Sequence, residues 1–128
     1  MKKFIFQRNK VIILPVKLVG PNGEKWTQAI FDTGATYSMF PPVVLKAIGY
    51  DLTKLSNTVK IITASSVEYV PMVKIPRLEI FGVSIENVTA VSHLLPPTTP
   101  AQGLIGISTL NHFDYELNFS DNSLIVKV

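Results

Sequence analysis

Short runs of apolar and β-branched residues recur along this chain, and glycine, proline, asparagine or serine separates most of them. Runs of this length and composition are typical of β-strands. The pattern predicts strands over residues 11–19, 25–31, 58–63, 67–75, 78–81, 83–92, 103–106, 114–119 and 124–128. Prolines 15, 71 and 76 lie in or beside two of these runs. We expect edges or bulges there, because proline cannot donate a hydrogen bond to a strand ladder.

Turn residues indicate how the strands are joined. Asn22-Gly23 stands between the first two runs, and this dipeptide is a strong hairpin signal. The small residues 64–66 are expected to form the compact tip of a second hairpin, and Gly82 to join a third. Residues 95–102 hold three prolines and are predicted to be a loop.

Two short segments carry helical signals. Residues 43–48 follow a pair of prolines and precede Gly49, an arrangement that is common at the start and end of a helix. Residues 107–113 are expected to form a second short helix, with Ser108 as a local cap. Neither segment is long enough to serve as the crossover between parallel strands. Many short strands with one or two short helices therefore predict an all-β fold, a closed barrel or a sandwich.

Composition narrows the classes of function. A chain of 128 residues that is 47% hydrophobic is long enough for one domain with a real core, spanning residues 1–128. The net charge is only +3 and the lysines are scattered, so a nucleic-acid partner is not expected. The absence of cysteine excludes disulfides and thiolate metal sites. Because the two histidines, His93 and His112, are isolated in the sequence, we expect no metal or other cofactor.

The N-terminal region does not resemble a secretory signal. Residues 7–10 are polar and interrupt the apolar run that follows the basic start of the chain. No uninterrupted apolar run is long enough to span a bilayer, so no membrane partner is expected. The expected compartment is the cytoplasm.

One stretch carries candidate chemistry. The predicted strand over residues 25–31 runs directly into Asp32-Thr33-Gly34. This order suits a strand that ends in a tight turn and presents one carboxylate, since glycine permits close backbone approach and threonine adds a hydroxyl group. Taken alone, these three residues favour a plain turn in which Asp32 bonds only its own backbone.

The downstream sequence favours the chemical interpretation. A hairpin with a small-residue tip follows about 30 positions later, and Gly103-Leu104-Ile105-Gly106 with a short helix comes near the end. With Asp-Thr-Gly-Ala, this arrangement resembles the retropepsin-like aspartic proteases, the single-domain relatives of pepsin. The resemblance covers roughly residues 11–128. It implies a closed acid-protease barrel and an aspartic endopeptidase that acts on peptide or protein substrates.

The resemblance also implies an assembly. Hydrolysis of a peptide by water needs a general base and a general acid, and aspartic proteases supply both from two carboxylates that share one proton. Asp32 is followed by Thr-Gly, whereas Asp51, Asp114 and Asp121 lie in polar turns or at strand starts. The family resemblance therefore implies a C2 homodimer with one catalytic Asp32 from each subunit on the axis.

By the same resemblance, the residues after the aspartate support the loop and bind substrate. Thr33 would bond across the dyad, Gly34 would bond the substrate backbone, and Ala35 would line the cleft. Viral members usually have acidic residues directly after this alanine, whereas Thr36 and Tyr37 follow here. The contacts to the substrate main chain are therefore expected to differ from those of the viral enzymes.

The remaining site residues are also implied by the resemblance. Ala64, Ser65 and Ser66 would form the tip of a flap that closes over an extended peptide. Ile105 would pack behind the catalytic loop at the substrate-binding site. The flap tip has no glycine and should be stiffer than the viral one, and Ile107 replaces an arginine that often follows the final glycine. These departures are more typical of cellular and prokaryotic members.

Other interpretations stay open at this stage. Residues 32–36 also fit the Asp-x-Gly-x-Thr phosphate loop of actin-like ATPases, although that fold needs two α/β lobes. The fold could instead serve as a catalytically silent dimerisation or peptide-binding module. The apolar termini, residues 4–6 and 124–126, would either interleave with those of a partner or pack within one subunit.

Overall fold

The computed structural model describes residues 1–54 and 57–127. The described strands and helices are, in chain order, β1 (Lys2–Ile5), β2 (Ile13–Gly20), β3 (Gly23–Phe31), β4 (Ser38–Phe40), α1 (Pro42–Ala47), β5 (Thr58–Ile62), β6 (Val67–Ile80), β7 (Val83–Ser92), β8 (Gly103–Ile105), α2 (Ile107–Leu110), β9 (Asp114–Asn118) and β10 (Ser123–Lys127). Val128, the last residue of the final predicted strand, lies outside the described residues.

Six of the described strands close into a barrel in the order β2-β3-β8-β4-β7-β6. The ring is completed by the pairing of β6 with β2, which runs from Lys17↔Glu79 to Val19↔Arg77. The β3–β8 and β4–β7 pairs are parallel, and the other pairs in the ring are antiparallel. β5 pairs with β6 outside the ring and forms one arm of a hairpin. The prediction of a closed all-β barrel with two short helices is confirmed.

Alternation of side chains along the strands fills the barrel. On β2, Leu14, Val16 and Leu18 are buried, whereas Pro15 between them is exposed. Successive side chains of a strand point to opposite faces, so this alternation places the apolar set inside. Burial of each such aliphatic side chain contributes about 1.5–3 kcal/mol relative to leaving it in water.

The three predicted hairpins are present. β2 and β3 are joined by a two-residue turn, with Gly20 paired to Gly23. The turn between β6 and β7 is Phe81-Gly82, and both residues have positive φ, +58° and +73°. Two successive positive φ angles define a type I′ turn, whose twist matches that of the flanking strands. The β5–β6 hairpin carries residues 63–66 at its tip.

β6 is longer than the sequence indicates. The runs over residues 67–75 and 78–81 were predicted as separate strands, but they belong to one strand, Val67–Ile80. Pro76 does not end it, because Ile75 pairs with Val88 and Arg77 pairs with Glu86 in a single register. The prediction of two strands here is wrong, since the ladder to β7 continues on both sides of the proline.

The second helix is shorter than predicted. α2 ends at Leu110 rather than at Phe113, and its N-cap residue is Gly106, with no side-chain cap. The predicted cap, Ser108, lies inside the helix, and its side-chain oxygen accepts a hydrogen bond from the Ser38 amide of β4. The capping prediction is therefore wrong.

Both apolar termini pack within one chain. β1 pairs with β10 and β10 with β9, which gives a separate three-stranded sheet. Phe4 of β1 lies against Phe81, with ring centroids 5.3 Å apart, and Leu124 and Val126 of β10 are fully buried. Of the two alternatives for the termini, the structure has the pairing within one subunit.

Candidate active site

Asp32 lies at the end of β3, where the barrel wall gives way to a loop over residues 32–37. Its amide donates to the carbonyl of Ile105 at 3.0 Å and so extends the parallel β3–β8 pairing. The Gly34 amide donates to Asp32 Oδ1 at 2.9 Å. Within the described part of the chain, Oδ2 has no hydrogen-bond donor. The loop therefore orients the half-buried carboxylate through one oxygen and leaves the other free for water or substrate.

The start of α2 holds this loop from behind. The amide of Ile107 donates to the carbonyl of Ala35 at 2.8 Å, and the amide of Ser108 donates to that of Thr36 at 2.9 Å. These amides belong to the first turn of a helix, where they have no partner within the helix itself. Carbonyl groups of the loop over residues 32–37 thus accept hydrogen bonds from the otherwise unpaired amides of α2. The same bonds hold the backbone of the loop in place.

Gly106 is required by this close packing. A Cβ at this position would lie 2.6 Å from the carbonyl oxygen of Tyr37 and 2.7 Å from that of Ala35. Both distances are shorter than real Cβ contacts allow, and both involve backbone atoms that hold the catalytic loop. A Cβ at Gly103 would likewise lie 2.7 Å from the carbonyl oxygen of Met39. Both glycines of the Gly103–Gly106 segment are therefore required by close backbone packing.

A buried hydroxyl network, which sequence reasoning missed, connects the loop to α2. Ser38 is fully buried, and its Oγ lies 2.6 Å from Thr109 Oγ1 and accepts a hydrogen bond from the Gly106 amide at 3.1 Å. The Ser38 amide donates to Ser108 Oγ at 2.9 Å. The available signal was a serine and a threonine inside otherwise apolar segments, but nothing in the sequence paired them across about 70 positions.

Removal of the Ser38 hydroxyl should destabilise the site. Ser38→Ala leaves the Gly106 amide and the Thr109 hydroxyl buried without their shared partner, a loss of about 1–3 kcal/mol in the free energy of unfolding. Urea unfolding would measure it. Ser84→Ala, on the exposed side of β7, is the matched control and should change stability little. Equal stability of the two variants would contradict a structural role for the network.

A cleft of about 310 Å³ separates the catalytic loop from the β5–β6 hairpin. The lining residues are Gly34, Ala35, Thr36, Tyr37 and Met39 on the loop side and Lys60, Ile61, Ile62 and Thr63 on the hairpin side. Ligand pockets in proteins begin at about this volume. Asp32 is not among the lining residues, but Gly34, which lines the cleft, donates its amide to the Asp32 side chain.

The hairpin tip is organised by a residue that sequence reasoning placed at the end of a strand. Thr63 Oγ1 accepts from the Ser66 amide at 3.0 Å, and the Thr63 amide donates to the Ser66 carbonyl at 2.8 Å. Ala64, Ser65 and Ser66 are exposed at the tip. Threonine side chains commonly mimic a backbone turn in this way, so the tip is ordered without glycine.

The hairpin is tied to the barrel near its tip by a contact between a carboxylate and an imidazole. Glu68 on β6, one position beyond the Ile62↔Val67 pair that closes the tip, lies 3.1 Å from Nε2 of His93, which follows β7. The His93 amide donates to the carbonyl of Phe40 at 3.1 Å, so the histidine backbone belongs to the barrel wall. This tie therefore restrains the hairpin relative to the barrel.

Glu68→Gln should loosen the hairpin. We expect its backbone amides to exchange with solvent up to about fivefold faster than in the wild type, the range for a partly exposed polar contact of this kind. Hydrogen exchange with mass spectrometry measures the rates, and Glu116→Gln on β9 is the control. Equal exchange rates in the hairpin of the variant and of the wild type would contradict the tie.

The structure brings most of the predicted loop residues together. Gly34 and Ala35 line the cleft, whereas Asp32 and the exposed Thr33 precede them in the loop and are not among its lining residues. The tip residues 64–66 do not line the cleft in this conformation, and their neighbour Thr63 does. Ile105 is fully buried behind the loop. Its packing position agrees with the sequence, but it has no surface from which to contact substrate, and that part of the prediction is corrected.

The other aspartates serve turns. The Thr53 hydroxyl bonds Asp51 at 2.6 Å and holds the pKa of that carboxyl below its usual range. The Ser123 hydroxyl does the same for the pKa of Asp121, across 2.7 Å. Asp114 is exposed at the start of β9. None of the three stands beside the cleft, which leaves Asp32 as the candidate catalytic carboxylate of the described residues.

A closed barrel in which an Asp-Thr-Gly turn faces a hairpin across a cleft defines the acid-protease class of fold. The model of the aspartyl protease family matches residues 14–109, and the chain belongs to this family. The described structure has no pair of α/β lobes, so the ATPase interpretation of residues 32–36 is wrong.

One solved structure shares this fold. The crystal structure of a retropepsin-like aspartic protease from Rickettsia conorii superposes with a TM-score of 0.75. The match covers 98% of this chain and 88% of that chain, at 21% sequence identity. The retropepsin-like fold is therefore confirmed. No curated protein sequence matches the chain significantly.

Two further features concern metals and membranes. In residues 1–54 and 57–127, no group of three or more histidine, aspartate or glutamate side chains is placed to hold a metal ion. Within the same part of the chain, no helix is long and apolar enough to cross a membrane.

Proposed function

We propose that this protein is an aspartic endopeptidase that works as a C2 homodimer. The observation that carries the proposal is the position of Asp32: an oriented, half-buried carboxylate held by Gly34, which lines a cleft, in a chain of the aspartyl protease family. Peptide hydrolysis needs a base for the attacking water and an acid for the leaving nitrogen. One chain presents one such carboxylate among its described residues, so the second would come from an identical subunit.

In the proposed dimer, the two Asp32 carboxylates lie close enough to share one proton, since two like charges at that distance cannot both ionise. The ionised member takes a proton from water as the water attacks the scissile carbonyl carbon, and the protonated member donates to the carbonyl oxygen. Collapse of the tetrahedral intermediate breaks the C–N bond, and a proton returns to the leaving nitrogen. Thr33, which is exposed beside Asp32, would bond the partner's loop across the axis.

Substrate would enter as an extended peptide between the catalytic loop and the hairpin. Gly34 and Ala35 would contact its backbone from below, and the β5–β6 hairpin would cover it from above. The hairpin is then a flap, and its movement would admit substrate and release product on the timescale typical of such lids.

Peptide hydrolysis by the purified protein tests this function. A mixture of unfolded protein substrates should be cleaved with a bell-shaped pH profile on the acid side of neutrality, because the singly protonated pair is the active form. Specific activity should fall on dilution, because the dimer dissociates by mass action. A statine-type inhibitor should block cleavage and a chelator should not.

Two outcomes would contradict the proposal. Full specific activity of a species that sedimentation shows to be monomeric would remove the paired-carboxylate mechanism. Specific binding of peptides without any turnover at any acid pH would instead identify a catalytically silent peptide-binding module.

A further inference from the structure

The cleft carries one formal charge among its described lining residues. That charge is Lys60 on β5, an exposed residue that pairs across the hairpin with Tyr69. Its neighbours on the hairpin side of the cleft are Ile61 and Ile62, and Tyr37 and Met39 lie on the loop side. The cleft is therefore lined by apolar and hydroxyl-bearing side chains, with a single ammonium group on its flap wall.

This ammonium group has no counterion in the described structure. Three lysines outside the cleft have one: Lys3 lies 3.4 Å from Asp121, Lys17 lies 3.2 Å from Glu24, and Lys54 lies 3.6 Å from Asp51. Among the described residues, Lys60 shares the lack of a counterion with other exposed lysines such as Lys25, and it differs from them in lining the cleft. Across residues 1–54 and 57–127, no carboxylate lies within 4 Å of Lys60 Nζ. A cation beside apolar walls attracts an anionic group more strongly than one in open solvent, because water screens it less.

We propose that Lys60 is a specificity-determining residue that selects an acidic side chain in the bound peptide. The inference rests on the proposed function in one respect, that the ligand is an extended peptide lying in the cleft. Ile61 and Ile62, which follow Lys60 on the same wall of the cleft, predict apolar residues next to the acidic one. In a C2 dimer the two copies of Lys60 lie on opposite sides of the scissile bond, so the acidic preference appears at two positions placed symmetrically about it.

Binding of short peptides to the Asp32→Asn variant tests the proposal without turnover. The probe is a fluorescently labelled apolar peptide in which Glu, Gln or Lys replaces each position in turn, and polarisation reports its affinity. We expect Glu to be preferred over Gln by about two- to fivefold at the selected positions, the range for partly exposed ion pairs. Adding Lys60→Met should remove this preference, and Lys60→Glu should shift it to Lys.

The matched control is Lys25→Met, an exposed lysine on β3 outside the cleft, which should leave the preference intact. Raising the ionic strength should weaken the preference for Glu in the parent variant and should not affect the Lys60→Met protein. Thermal melting of each variant confirms that the fold is retained, as expected for an exposed position.

The outcomes separate the selectivity from the catalysis. Peptides bound with no preference for Glu, or with one that survives Lys60→Met, overturn the role of Lys60, whatever the wild type cleaves. A Glu preference that depends on Lys60, in a protein whose wild type cleaves none of the peptides, supports that role and overturns the proteolytic function. Failure of every peptide to bind overturns both.

Discussion

Replacement of Asp32 by Asn is expected to abolish peptide hydrolysis while the chain stays folded. The loss in kcat/KM should be at least about a thousandfold. In the proposed dimer the two Asp32 carboxylates provide the general base and the general acid, and the substitution removes both. Asn keeps the shape and can still accept the Gly34 amide bond to its side-chain oxygen. It cannot take a proton from water at any pH in the range where the fold is stable.

Controls must show that the variant loses activity because it lacks the carboxylate and not because it is misfolded. Thermal melting and sedimentation of the variant should match those of the wild type. Asp114→Asn is the matched control, since that carboxylate is exposed at the start of β9 and distant from the cleft. It should retain full activity. Hydrolysis that survives Asp32→Asn, in a preparation free of other proteases, would mean that Asp32 is not the catalytic carboxylate.

Deletion of residues 123–128 is expected to unfold the chain rather than only to weaken a dimer. The deletion removes the central strand of the three-stranded sheet, so β1 and β9 lose their partner together. It also removes Leu124 and Val126, both fully buried. The wild type should melt cooperatively, whereas circular dichroism of the truncated chain should show no cooperative melting.

A point variant measures the same contribution without removing the strand. Leu124→Ala should lower the free energy of unfolding by about 2–5 kcal/mol, the usual range for a fully buried leucine. Lys127→Ala, at the exposed end of the same strand, is the control and should have little effect. Unfolding should be followed at several protein concentrations, because dimerisation adds to apparent stability. A truncated chain that melts like the wild type and loses only self-association would contradict the packing role of β10.

Local patterns predicted most elements of this fold. The Asn-Gly dipeptide located the β2–β3 turn, and the paired prolines with Gly49 located α1, because turn and cap chemistry depends on neighbouring residues. The errors arose where contacts with a residue distant in the sequence determine the local structure. Pro76 would end an isolated strand, but β7 holds β6 in register on both sides of it. Ser108 would cap an isolated helix, but it bonds Ser38 of β4 instead.

The candidate site likewise has parts that neighbouring residues determine and parts that distant residues determine. The motif beginning at Asp32 could be found from the sequence, because a carboxylate, a hydroxyl and a glycine in consecutive positions specify a particular turn. The residues that hold that turn could not, since Ser38 and Thr109 meet only when β4 packs against α2. The tie from Glu68 to His93 is likewise invisible in a sequence where both residues look isolated.

By itself, then, the sequence determined most of the strands, the hairpins and the Asp32-Thr33-Gly34 turn, all of which depend on side chains within a few positions of one another. Only the tertiary structure decided the closure of the barrel through β2 and β6, the pairing of the termini within one chain, and the burial of Ile105. It also decided the place of Lys60 on the wall of the cleft. Each of these depends on which strands become neighbours, and that choice is made by the packing of the whole core.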